Sequence, residues 1–126
     1  MRISPEKIDQ LKENEIFVFG SNKQGFHGGG AAYYAMTHFD AKWGVGEGLT
    51  GQCYALPTME GTESFKQAVK TFIDCAKAHP ELKFLVTAVG CGIAGYMPEQ
   101  VAPWFAEAIN LDNVYLPESF WEVVKA

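Results

Sequence analysis

The residues best placed to do chemistry are glycines. Of the 13 in this chain, Gly28, Gly29 and Gly30 stand in a row, and Gly90, Gly92 and Gly95 crowd around Cys91. Glycine serves where the backbone must approach a ligand closely or take a positive φ, and consecutive free amides form a nest that holds an anion. Each run follows an apolar stretch. Ile16-Phe17-Val18-Phe19 discharges into Gly20 and then the triple glycine, while Phe84-Leu85-Val86-Thr87-Ala88-Val89 discharges into Gly90. Ala31-Ala32-Tyr33-Tyr34-Ala35-Met36 then supplies helix formers directly after Gly30. Strand, glycine loop and helix N-terminus in that order make a phosphate-binding geometry. Ligands of open α/β sheets bind outside the carboxyl ends of the strands, so both loops are expected to face one cleft holding a phosphate or diphosphate.

Other chemistries fit these residues less well. Gly20-x-x-x-x-Gly25 has the spacing of a nucleotide-hydrolysing phosphate loop, but Phe26 and His27 stand where Lys and Ser or Thr are required. Gly46-x-Gly48-x-x-Gly51 has the dinucleotide spacing yet precedes a strand instead of following one. His27-Gly28-Gly29-Gly30 has the form of a lipase oxyanion loop, but no G-x-S-x-G supplies a nucleophile. Cys91 is the remaining nucleophile, with His27 or His38 as bases. His27, His38 and His79 lack metal-ligand spacing, so neither a metal nor a cofactor is expected. Glu47 and Glu99, the acids nearest the loops, read as solvated or capping carboxylates.

The elements that must position these loops alternate between strand and helix patterns. Ser4 and Pro5 read as the N-cap and first residue of a short helix carrying Ile8 and Leu11. Strands are expected at Glu15 to Phe19, at Gln52 to Leu56 after a glycine connection from Gly44 to Gly51, at Lys83 to Val89 and at Asn113 to Leu116. Helices are expected from Ala31, from Thr62 to about His79 on the spacing of Phe65, Ala68, Val69, Phe72, Ile73 and Ala76, after Pro98 through Val101, Phe105, Ala108 and Ile109, and from Glu118 to Lys125. Such alternation predicts an α/β layer architecture.

Composition narrows the function classes. The 126 residues suit a single domain spanning 1–126, and 48% hydrophobic residues supply a core. No apolar run approaches the roughly 20 residues that span a bilayer, and the start lacks a secretory core, which predicts a cytoplasmic protein without membrane contact. Three cysteines without a C-x-x-C pair predict reduced thiols. A net charge of -5, with no concentration of Lys or Arg, argues against binding a nucleic-acid duplex. An anionic ligand is then left to backbone amides and helix dipoles.

Three segments in the same order resemble the macrodomain family, the α/β/α module that binds ADP-ribose. Ile16-Phe17-Val18-Phe19-Gly20-Ser21-Asn22 with Gly28-Gly29-Gly30-Ala31-Ala32 is similar to the family's strand, asparagine and polyglycine loop. Gly46 to Gly51 leading through Leu56-Pro57 is similar to its glycine-glutamate turn. Gly90-Cys91-Gly92-Ile93-Ala94-Gly95-Tyr96-Met97-Pro98 resembles its diphosphate loop. The resemblance covers residues 16 to 98. It implies a three-layer α/β/α sandwich with a mixed central sheet, of the small bacterial or phage-related kind. The ligand would be ADP-ribose, a related nucleotide diphosphate sugar or an ADP-ribosylated macromolecule.

The resemblance also implies roles. Asn22, beside Ser21, would meet the distal ribose and orient an attacking water as the catalytic residue. Gly28, Gly29, Gly30 and Ala31 would place amides near that ribose and the diphosphate. Gly92 to Gly95 would clasp the diphosphate from the other side, with Gly90 and Cys91 beside them in the binding loop, and Tyr96 would stack near the ribose. The chain departs from the family where a glycine-aspartate-isoleucine turn reads adenine, and where an acid follows the polyglycine, since Ala31, Ala32, Tyr33 and Tyr34 occupy that stretch. Three functions stay open: an ADP-ribosyl hydrolase, a non-catalytic ADP-ribose reader, and a Cys91-dependent hydrolase or transferase.

Overall fold

A computed structural model describes residues 1–125. Five strands form one sheet: β1 (Glu15–Ser21), β2 (Gly48–Thr50), β3 (Cys53–Pro57), β4 (Lys83–Val86) and β5 (Val114–Tyr115), in the order β2-β3-β1-β4-β5. β1, β3, β4 and β5 run parallel and β2 antiparallel, so the sheet is mixed. The helices are α1 (Gly30–Phe39), α2 (Thr62–Ala78), α3 (Pro98–Val101), which continues as 3-10 turns over Ala102–Asn110, and α4 (Glu118–Val124). Among the described residues, no helix is long and apolar enough to cross a membrane.

Period-2 alternation along the strands builds two cores. Phe17, Phe19, Cys53, Ala55 and Leu85 point to the face covered by α1 through Ala32, Ala35 and Phe39. Their alternates Ile16, Val18, Tyr54, Leu56, Phe84 and Val86 meet Phe65, Val69, Phe72 and Ile73 of α2, Phe105 of the 3-10 turns and Phe120 of α4. Both faces of β1 are therefore covered, which is why its run is apolar throughout. Fully buried Phe72, whose burial is worth about 1.5–3 kcal/mol, meets Tyr54, Phe84 and Phe105 ring to ring.

Four local expectations are corrected. The segment after Pro5 is not helical, because its groups serve the sheet edge: Ile3 bridges Leu116, and Ser4 Oγ donates to the Val86 carbonyl at 2.6 Å. The glycine connection before β3 contains β2, which turns back through Gly51 and Gln52 as a hairpin. The helix after Pro98 changes to 3-10 geometry where Pro103 has no N–H to donate into an α-helical ladder. Finally, β4 ends at Val86 instead of Val89. Thr87 still reaches the Val18 carbonyl through its N–H and Oγ1, and the chain then turns away while β1 runs on against β3 to Ser21. That divergence opens the sheet's carboxyl edge.

Candidate functional site

A cavity of about 540 Å3 occupies the opening. Asn22, Phe26 and Gly28 to Ala32 line it after β1, Thr58 and Met59 after β3, and Thr87 to Gly90 with Gly92, Ile93 and Ala94 after β4. Three parallel strands deliver their carboxyl ends to one edge, and the two glycine loops do face one cleft. Among the described residues, the lining carries no Asp, Glu, Lys, Arg or His.

Polarity comes from backbone groups and from the uncharged side chains of Ser21, Asn22, Thr58 and Thr87 instead. The N–H groups of Gly28 to Ala32 bond to no protein acceptor, the first committed one in α1 being Tyr33 N–H to the Gly29 carbonyl at 3.2 Å. The N–H groups of Gly92, Ile93 and Ala94 are uncommitted as well, whereas Gly95 N–H closes a turn onto the Gly92 carbonyl at 3.0 Å. Two runs of free amides, one at a helix N-terminus, are the donor arrangement that an anion can accept from without a cationic side chain. Gly90 holds the second run in place: its φ is 78° and an added Cβ would lie 2.3 Å from the Phe65 ring.

Asn22 reaches the cavity wall with its carboxamide already engaged. Its Oδ1 accepts the Phe26 N–H at 2.9 Å and its Nδ2 donates to the Phe26 carbonyl at 3.1 Å. One N–H and one lone-pair direction remain for a ligand. Ser21, buried beside it, donates through Oγ to the Gly46 carbonyl at 2.5 Å and so ties this loop to the connection before β2.

Of the other residues expected at the site, Cys91, Gly95 and Tyr96 do not line the cavity. Tyr96 lies against Phe65 and Trp104, with its hydroxyl 3.2 Å from Thr62 Oγ1. The Cys91 thiol packs on the core, and burial, helped by the Glu99 charge, pushes its pKa up, which disfavours the thiolate a nucleophile needs. His27 is fully buried: the Lys42 carbonyl accepts from its Nε2 at 3.0 Å, while Nδ1 has no partner. His38 stacks on Tyr34 at 4.1 Å on the exposed side of α1. No group of His, Cys, Asp and Glu among the described residues is placed to hold a metal.

Sequence reasoning missed Thr58, Met59 and Phe26, and with them Gly20, Ala32 and Thr87 to Val89, as lining residues. The signal for the first two was available, because Pro57 ends a strand parallel to the other two and its next residues must share their edge. A second cavity, of about 590 Å3, adjoins the first at Thr87 and Ala88; Ser4, Pro5, Glu6, Glu118 and Glu122 are among its lining residues.

Fold and site together define an α/β domain with an amide-lined cleft at the carboxyl edge of its sheet. Among protein-family models, curated proteins and solved structures, none matches this chain significantly.

Proposed function

We propose that the cleft binds ADP-ribose or a closely related nucleotide diphosphate sugar, in the manner the macrodomain resemblance implies. The observation that carries this reading is the pair of uncommitted amide runs, Gly28 to Ala32 and Gly92 to Ala94, lining one cavity. A diphosphate between them would meet N–H groups and the positive end of α1 from opposite sides. The ribose beyond it would lie against the free N–H of Asn22. The base would enter the neighbouring cavity, where Ile3, Pro5 and Pro117 offer apolar walls and Glu6, Glu118 and Glu122 offer acceptors for an exocyclic amine. Those glutamates would stand in for the adenine-reading aspartate.

Binding without turnover is the activity the lining favours, because no titratable side chain there can act as general acid or base. Thermal unfolding with ADP-ribose, AMP and ribose 5-phosphate tests the reading. ADP-ribose at about 100 times its dissociation constant should add about 2.7 kcal/mol, a shift of several degrees, with less from either fragment. No shift with ADP-ribose overturns it. Release of an ADP-ribosyl group by the wild type, abolished in Asn22→Ala, would establish the hydrolase instead.

A further inference from the structure

The mouth of the cleft carries an aromatic pair that diphosphate binding does not use. Phe26 lines the cavity and is 53% exposed; Trp43, 57% exposed, stacks on it with ring centroids 5.4 Å apart and planes 17° from parallel. Two large apolar rings this open, side by side with one of them lining a cavity, form the contiguous apolar surface that marks an interaction site.

The pair is also braced. The Asn22 carboxamide holds the Phe26 backbone at both its N–H and its carbonyl. The Gly44 N–H donates to the Gly25 carbonyl at 2.9 Å, linking the two loops, and the Lys42 carbonyl accepts from buried His27. An added Cβ at Gly25 would lie 2.4 Å from the Gly44 carbonyl carbon, so the two loops touch backbone to backbone. Trp43 thus backs Phe26, which itself lines the cavity and keeps about half its surface open.

Strand order gives the pair its place along the ligand. The second cavity borders the β4 and β5 end of the edge, whereas Phe26 and Met59 border the β1 and β3 end. A nucleotide lying along this edge with its base toward β5 directs its distal ribose at Phe26. We propose that Phe26, backed by Trp43, is a stacking platform for a planar heteroaromatic group carried on that distal ribose. The preferred ligand is then a ribosyl adduct of a heteroaromatic ring, not free ADP-ribose or an adduct of an aliphatic side chain. This inference rests on the diphosphate reading above.

Calorimetric titration of the whole chain with ADP-ribose and with the α and β anomers of nicotinamide adenine dinucleotide, whose distal ribose bears such a ring, tests it. Stacking on an aromatic side chain should make at least one anomer bind roughly tenfold tighter than ADP-ribose. In Phe26→Ala that ratio should fall to about one, and in Phe26→Tyr it should persist. Ratios near one for both anomers in the wild type, with ADP-ribose itself bound, overturn the platform and spare the diphosphate site. A ratio that survives Phe26→Ala overturns it equally. Failure of all three ligands to bind overturns the diphosphate reading, and the platform falls with it.

Discussion

Cys53 shows how a single buried atom sets a pH limit. Its thiol is fully enclosed between β3 and α1, with the Ala35 and Phe39 carbonyls as its neighbours, and burial pushes its pKa from 9.0 up to about 12 against the lowering effect of the Ala41 backbone. The folded state therefore refuses an ionisation that the unfolded chain accepts. The contribution to stability is fully present below pH 9 and is lost as the pH rises toward 12, by about 1 kcal/mol between pH 9 and 10. Denaturant unfolding at pH 8, 9 and 10 should show that decline, and Cys53→Ala should make it shallower. An unchanged slope in the variant would mean that the thiol is not the group responsible.

At the scale of elements, the site depends on two loops held by close backbone approach. An added Cβ at Gly46 would sit 2.3 Å from the carbonyl oxygens of both Asn22 and Lys23, neither of which can move without moving the Asn22 loop. Gly46→Ala is expected to cost about 2–3 kcal/mol and to weaken ADP-ribose binding in calorimetry. Gly28→Ala meets nothing within 4 Å and should leave unfolding unchanged to within about 0.5 kcal/mol. Equal stability losses in the two variants would refute this difference.

The contrast between those two glycines also explains how much the sequence reveals. Gly28 advertises a loop by standing in a run, whereas the contact of Gly46 with Asn22 links residues far apart in sequence and leaves no local mark. β1, β3, β4 and β5 are legible as short apolar runs, α1 as helix formers after a glycine loop and α2 by its periodicity, whereas β2 is not, because three residues set among glycines carry no pattern. The N-terminal segment is not, since Ser4 and Pro5 have the form of a helix start while their partners, Val86 and Leu116, are supplied by the fold. That Asn22 and the glycine runs line one cavity is legible from their place after the strands; Phe26 is not, because an exposed phenylalanine becomes informative only when Trp43 is seen stacked on it.

For the whole molecule, the net charge of -5 and a lining without cationic side chains mean that the proposed anionic ligand would approach against the overall field. Salt screens that repulsion and has no ion pair at the site to weaken. The dissociation constant of ADP-ribose should change by less than about threefold between 0.05 and 0.5 M NaCl, staying level or tightening. Weakening by about tenfold or more would reveal cationic contacts the cleft lacks.

The central position of β1 has a consequence for synthesis on the ribosome. Residues 15–21 emerge first, but their two neighbours in the sheet are Cys53–Pro57 and Lys83–Val86, which follow much later. At about 5–20 residues per second, a nascent chain carries an unpaired apolar strand for several seconds before either flank arrives. Glu15-Ile16-Phe17-Val18-Phe19 has one charge in five residues and both backbone edges free, the signature of a segment that pairs with copies of itself. A chain stalled before Cys53 would therefore expose this strand with neither of its sheet neighbours yet made.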